Sequence, residues 1–450
     1  MCARRRNVLL LLLLAAPLLA PRSAAADADT THDCHIGAYR LADHSVIDIA
    51  PSDEGLLRWR RFDGTSGALT RRATGDWMSS AGWTERPDGK VVRFGNCRSG
   101  RVDFAGVAGH RIDLVVRETS IERTDGVRLA GRLVLPTGRA VVPVVVLIHG
   151  SESFSARDFW ALQRVLPAAG VGVFVFDKRG TGASTGTFTM DFSALADDAV
   201  AAMQAARRLA GERAGRIGYY GTSQGGWIAP LAALRAKVDF VIVGYGLAVS
   251  PIEEDQEEAA LDMKLHGYGA GTTAQALEVV VAAEAMLQSG FSSASVEGFQ
   301  SIRAKYQDEP WFKYLHGNVT YLALSMPLEK LKSEIGPMLA SVPWNYDSMP
   351  VLREQAAAQL WILGADDLAA PSAETAARLH ELATQGRPIT VAIFPRAEHG
   401  IFEFETDAEG NRLDTRNPEG FLAMIRDFAA RGRLRGSYGA QVTPPPHLAR

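Results

Sequence analysis

Past three arginines near its start, positive charge gathers nowhere in this sequence. Its 450 residues carry 48 Lys and Arg against 51 Asp and Glu, a formal net charge of −3 at pH 7. With the cations spread out and no basic block to track phosphates, nucleic acid is not an expected partner. Cysteine is nearly missing too: Cys2, Cys34 and Cys97 are all there are, too few for a disulfide-dense scaffold. No dinucleotide fingerprint, P-loop or HExxH occurs, so neither a cofactor nor a metal is expected. Beyond residue 20 no run is long and apolar enough to span a bilayer, which excludes stable membrane insertion of the mature chain.

What is present begins with a leader. Arg4, Arg5 and Arg6 precede an apolar, Leu-rich run at 8–20, and Ser23-Ala24-Ala25-Ala26 follows with the small side chains a signal peptidase accepts. Residues 1–26 therefore read as a secretory signal peptide, and the mature protein is expected to be exported, periplasmic or extracellular. An uncleaved anchor is the competing reading, disfavoured by the shortness of the run. Export leaves Cys34 and Cys97 in an oxidising compartment, where one disulfide between them is expected. The cluster His32-Asp33-Cys34-His35 reads as a solvated N-terminus beside that bridge rather than as a metal site.

Residues 27–120 hold short β-forming segments (45–49, 56–62, 90–94, 111–117) punctuated by Gly, Asp, Asn and Pro, with no amphipathic run of helical length. A small all-β domain is expected there. Farther on, continuous apolar strands at 142–148, 171–176, 216–220, 240–243, 359–363 and 390–394 alternate with helical patterns. That alternation predicts a mostly parallel sheet with helices on both faces, built from residues 121–246 and 353–433. The interruption at 247–352 is helical in pattern and rich in large side chains, among them Met263, Met286, Phe299, Trp311 and Trp344. It is too long for a bare loop and predicts a helical cap. Residues 434–450, with Pro444-Pro445-Pro446, read as a flexible tail.

Gly221-Thr222-Ser223-Gln224-Gly225 stands directly after one of these strands and directly before a helix. A serine on such a turn projects its hydroxyl from the sheet, and Gly221 and Gly225 let the backbone turn without Cβ clashes. A serine hydroxyl needs a base to take its proton. His399 follows the strand 390–394 and fits that role; the other histidines fall in the β region, in helical segments or in the tail, and His149 closes the strand 142–148. Gly364-Ala365-Asp366-Asp367 follows the preceding core strand and offers two candidates, Asp366 and Asp367, for the acid that orients the imidazole. The backbone N–H groups of Gln224 and of Ser151 are the expected donors to a tetrahedral oxyanion.

Together these residues resemble the α/β-hydrolase superfamily over about 127–433. The matching motifs are His149-Gly150, Asp177-Lys178-Arg179-Gly180-Thr181-Gly182-Ala183-Ser184, the serine turn, Gly364-x-x-Asp367-x-x-x-Pro371 and His399-Gly400. Within it the frame is similar to bacterial serine esterases and serine aminopeptidase-like hydrolases. That resemblance implies an α/β-hydrolase fold with a helical cap, and it favours Asp367, three residues after the glycine, as the acid. Asp177 and Arg179 are implied to be scaffold.

The function expected is an exported serine hydrolase that cleaves small carboxylic esters of short to medium acyl chains through an acyl-enzyme. Apolar cap side chains facing the site would favour such substrates. The alternative is an aminopeptidase-like enzyme whose acidic run at 253–262 receives a substrate ammonium; that run is expected instead to be a solvated helix face. Thioesters of CoA do not fit the compartment, and dehalogenase chemistry would need a carboxylate in place of Ser223. A non-catalytic binding role would leave the complete Ser, Asp, His set unused.

Overall fold

The computed structural model describes residues 34–52 and 56–446. The leader expected at 1–26, along with His32 and Asp33, lies outside the described residues.

Eight short strands come first: β1 (Gly37–Leu41), β2 (Val46–Pro51), β3 (Leu57–Arg61), β4 (Ser66–Arg71), β5 (Trp77–Ala81), β6 (Pro87–Phe94), β7 (Arg101–Phe104) and β8 (Val107–Arg111). They form a closed barrel in which β8 returns to pair antiparallel with β1. Alternating side chains such as Tyr39, Leu41, Ile47, Ile49, Trp59, Leu69 and Phe104 fill its interior. Closure leaves the barrel without an edge strand. A disulfide joins Cys34, ahead of β1, to Cys97, between β6 and β7, with the Cα atoms 5.4 Å apart.

The boundary placed at residue 120 moves. After the barrel, β9 (Leu114–Glu122) pairs along its whole length with β10 (Arg128–Pro136) and so joins the next sheet. Its β-forming residues carry the same period of two in either sheet, which is why composition assigned it to the barrel.

The core continues through β11 (Val142–Ile148), β12 (Gly172–Phe176), β13 (Ala214–Thr222), β14 (Phe240–Gly244), β15 (Ala358–Gly364) and β16 (Ile389–Phe394). A small three-stranded sheet follows: β17 (Ala397–Glu398), β18 (Phe402–Thr406) and β19 (Arg412–Arg416); β20 (Gln441–Thr443) closes the chain. The main sheet has nine strands in the order β20-β16-β15-β14-β13-β11-β12-β10-β9. Strands β11 to β16 pair in parallel, while the pairings of β9, β10 and β20 are antiparallel. Both faces are covered. Val144, Val146 and Ile148 of β11 enter one apolar core with the helices Phe192–Ala210, Gly225–Arg235 and Ser372–Thr384. Val145 and Leu147 enter another with the helices Leu162–Ala168 and Phe421–Arg431. The mixed, mostly parallel sheet is thus the one expected, with a barrel before it.

The tail reading is corrected. Residues 441–443 add to the sheet edge through β16, and the buried Tyr438 donates its hydroxyl hydrogen to Asp427 at 2.9 Å. Three residues ahead of a proline run are too few to show strand periodicity. The backbone edge of β16 recruits them.

The insertion between β14 and β15 is helical, led by the helices Pro251–Leu265, Ala270–Gln288 and Ser293–Tyr306. Met263, Met286, Phe299, Tyr306, Trp311 and Trp344 pack on one another in a core of its own. These large side chains hold the cap together.

Candidate active site

β13 ends at Thr222, and the helix Gly225–Arg235 begins three residues later. The turn is so tight that Ser223 takes φ +49°, the left-handed region that side chains with a Cβ rarely occupy. Its glycines are required sterically. A Cβ on Gly221 would stand 2.1 Å from the Gly225 carbonyl oxygen, and one on Gly225 would stand 2.5 Å from that of Ile148. Strain of this kind, held by parallel strands on both sides, lifts the Ser223 hydroxyl off the sheet.

The structure brings His399 and Asp367 to that hydroxyl. His399 Nε2 lies 3.2 Å from Ser223 Oγ, and its Nδ1 lies 3.0 Å from Asp367 Oδ2. Asp367 is buried, and its other oxygen accepts the backbone N–H groups of Ala369 and Ala370 at 3.0 and 2.8 Å. Asp366 does not reach the imidazole pair; its backbone carbonyl accepts a hydrogen bond from Arg412 Nη1 at 2.6 Å. Burial pulls the His399 imidazolium down, but Asp367, with help from Glu254 and Glu398, outweighs it, so His399 titrates above an ordinary histidine.

The turn carrying Ser151 runs beside the serine: a Cβ on Gly150 would stand 3.1 Å from Ser223 Cβ. Gln224 is buried at the start of its helix, with Nε2 3.2 Å from Met190 Sδ. His149 is buried, its ring against Trp160 and Phe176, and burial with the Lys178 charge holds its pKa well below an ordinary histidine's. In the 177–184 loop, Asp177 accepts from Ser155 Oγ (2.8 Å), Arg157 N (3.1 Å) and Ala183 N (3.1 Å). Arg179 forks onto Asp198 with two bonds of 2.7 Å. Both have the connections of scaffold.

Several neighbours were not singled out from sequence. Lys178 is buried and donates to the Gly150 carbonyl, bracing the Ser151 turn; burial lowers its pKa to about 8. Tyr245 stands edge-on to His399 with ring centroids 4.9 Å apart. Tyr245 belongs to no local pattern, and Lys178 lies inside the 177–184 motif without a role assigned to it there.

The acidic run corrects a further expectation. It does not form a solvated face: Glu254, Asp255 and Asp262 are buried in the helix Pro251–Leu265. Glu253 closes a capping box with Ser250 and pairs with Arg378 at 2.7 Å. Asp255 binds the N–H groups of Val319 and Thr320 and the Thr320 hydroxyl, pinning two parts of the cap. Glu254 lies near enough to His399 and Asp367 to act on both charges, and burial raises its pKa to about 8. Counting charges along the run could not separate these fates, since helical phase and cap packing decide them.

Among the described residues, no group of three or more His, Cys, Asp or Glu is placed to hold a metal, and no helix is long and apolar enough to cross a membrane.

Comparison with known proteins matches residues 125–249 to a family model described as X-Pro dipeptidyl-peptidase (S15 family). No curated protein matches the chain. Among solved structures, a bacterial brefeldin A esterase, described as a homologue of human hormone-sensitive lipase, is similar at 18% identity and TM-score 0.44, covering 72% of this chain and 79% of that one. A Pyrococcus furiosus esterase is similar at 15% identity and TM-score 0.40, covering 64% and 84%. The Pyrococcus horikoshii acylaminoacyl peptidase is similar at 14% identity and TM-score 0.42, covering 87% of this chain and 57% of that one. Parallel strands β11 to β16, the strained serine turn after β13 and the matched segment around it agree: this chain has the α/β-hydrolase fold.

Proposed function

We propose that the protein is an exported serine hydrolase acting on small carboxylic esters through Ser223, His399 and Asp367. The observation that carries the proposal is the unbroken relay from Ser223 Oγ to His399 to Asp367, at 3.2 and 3.0 Å. In this reading Nε2 takes the serine proton as Oγ attacks the ester carbonyl carbon. The oxyanion is met by the N–H groups of Ser151 and Gln224. The imidazolium, held by Asp367, then gives its proton to the departing alkoxide, leaving an acyl-serine. Water enters next: Nε2 takes one of its protons, the hydroxyl adds to the acyl carbon, and collapse of the adduct releases the carboxylic acid as the imidazolium returns its proton to Ser223 Oγ. The leader at 1–26 and the Cys34–Cys97 disulfide support export.

Ester substrates with short to medium acyl chains are supported by the apolar neighbours of the relay, Met190 beside Gln224 and Tyr245 against His399. A second reading, cleavage of aminoacyl bonds, is favoured by the buried carboxyl of Glu254, which senses the charges of His399 and Asp367 and which a substrate ammonium would draw into its ionised form. The matched peptidase family model points the same way. Nitrophenyl esters from acetate to octanoate, assayed beside aminoacyl naphthylamides, separate the two. Turnover of esters with little of the amides, unchanged in Glu254→Gln, supports the esterase. Strong amide cleavage that Glu254→Gln abolishes would replace it with the peptidase.

A further inference from the structure

The barrel carries no relay residue, yet it meets the loop that carries His399. That loop is the turn between β17 and β18, whose register pairs Glu398 with Phe402. The β18–β19 hairpin then leads to Asn417, and the barrel grips it along its length. Trp83 N–H donates to the Asp414 carbonyl at 2.8 Å, and the Trp83 ring stands 4.6 Å from that of Phe402. Arg58 stacks 4.0 Å over Trp83 and donates to the Gly82 carbonyl at 2.6 Å. At the hairpin's far end, Asn417 N–H donates to the Gly64 carbonyl at 3.0 Å, and Arg416 Nη2 donates to that of Asp63 at 2.6 Å. Two barrel glycines permit this approach: a Cβ on Gly82 would stand 2.3 Å from the Thr415 carbonyl oxygen, and one on Gly64 would stand 2.1 Å from that of Asn417.

The hairpin in turn clasps the His399 loop from both sides. Asn417 Nδ2 donates to the carbonyls of Gly400 (3.2 Å) and Ile401 (2.7 Å), just after the histidine. Arg412 pairs with Glu398, just before it, and also holds the Asp366 carbonyl. Glu398 accepts the Leu368 N–H at 3.0 Å, so the histidine loop and the aspartate loop share one brace. Gly400 and Ile401 both have positive φ, +81° and +56°, a conformation that needs outside support in a non-glycine residue.

We propose that the N-terminal barrel is a positioning domain for the hydrolase site, fixing His399 against Ser223 through the β18–β19 hairpin, with Asn417 as the joint. The inference rests on the relay proposed above. Displacing the base by about 1 Å costs on the order of 10²-fold in turnover, so a loosened clasp acts on kcat and leaves ester binding alone.

The test compares Asn417→Ala and Trp83→Leu with Arg93→Ala, a control whose partners Asp76 and Asp103 are within the barrel. Each purified protein is assayed for kcat and KM on nitrophenyl butyrate. Each is also examined by proton NMR for the low-field signal of the His399–Asp367 hydrogen bond, with circular dichroism as a check on folding. Asn417→Ala and Trp83→Leu are expected to lower kcat tenfold or more, to leave KM within about twofold and to broaden or lose the low-field signal. Arg93→Ala should match wild type. Should Asn417→Ala fail to fold, Trp83→Leu decides the matter from the barrel side. Ser223→Ala runs in parallel: if it retains turnover, the relay assignment fails and takes the inference with it. If Ser223→Ala is inactive while the folded clasp variants keep wild-type kcat and an unchanged signal, the barrel inference alone is overturned.

Discussion

Ser223 holds a strained backbone, and in the proposed reaction that turn presents its hydroxyl. At φ +49° a residue with a Cβ pays roughly 1 kcal/mol, a cost that glycine escapes. Ser223→Ala and Ser223→Gly should each lose on the order of 10⁴-fold in ester turnover, and the glycine variant should unfold at higher temperature than the alanine one. Comparable melting temperatures would mean that the turn is not strained. Asp367→Asn should fall by a similar factor because it fixes the wrong imidazole tautomer, whereas Asp366→Asn should stay near wild type. Parity between the two in a kinetic assay would unseat Asp367. In the proposed reaction His399 works as a neutral base, and the surrounding carboxylates outweigh burial and raise its pKa above 6.5, so the protonated, inactive form persists to higher pH. The acid limb of kcat/KM should therefore lie above pH 6.5; a limb below that value would contradict the balance of charges around His399. At this scale the sequence was most informative. The serine turn and the His399 loop each follow a strand whose apolar run is visible, so their place at the sheet edge could be read. Glu254 and Lys178 stood inside readable motifs, the acidic run and the 177–184 loop, but their burial at the site comes from tertiary packing that nothing local marks.

Elements were legible where periodicity was strong and ends were ambiguous. Strands β11 to β16 declared themselves as unbroken apolar runs because both faces of the sheet are buried. The barrel was legible as β structure but not as a closed barrel, since closure depends on β1 meeting β8 across about 70 residues. Strand β9 and the short β20 were misplaced for the same reason: partner choice is a tertiary property. The Cys34–Cys97 bridge spans 63 residues and ties the approach to β1 onto the β6–β7 connection. A loop of that size should contribute roughly 4 kcal/mol by limiting the unfolded chain. Replacing both cysteines with serine should lower the urea midpoint of the barrel accordingly. A midpoint identical to wild type would show that the closed sheet needs no such tie.

Taken whole, the molecule joins its first domain to its last hundred residues. Cap and barrel approach the same relay from different directions, the cap through the helix Pro251–Leu265 and the barrel through β18 and β19. The bond from Arg416 to the Asp63 carbonyl links positions 353 residues apart. Contacts of such separation form late, because the intervening chain must be ordered before they can close. In a refolding experiment, helix and sheet signals should therefore return before Ser223 becomes reactive toward a fluorophosphonate; simultaneous recovery would argue that the hairpin docks early. On the proposed reading of an exported hydrolase, that order of assembly has a protective meaning. On that reading the base settles against the serine only once residues near 417 have crossed the membrane and met the barrel. A nascent or stalled chain would carry Ser223 but no competent base, and would be harmless to the esters of the cell that makes it.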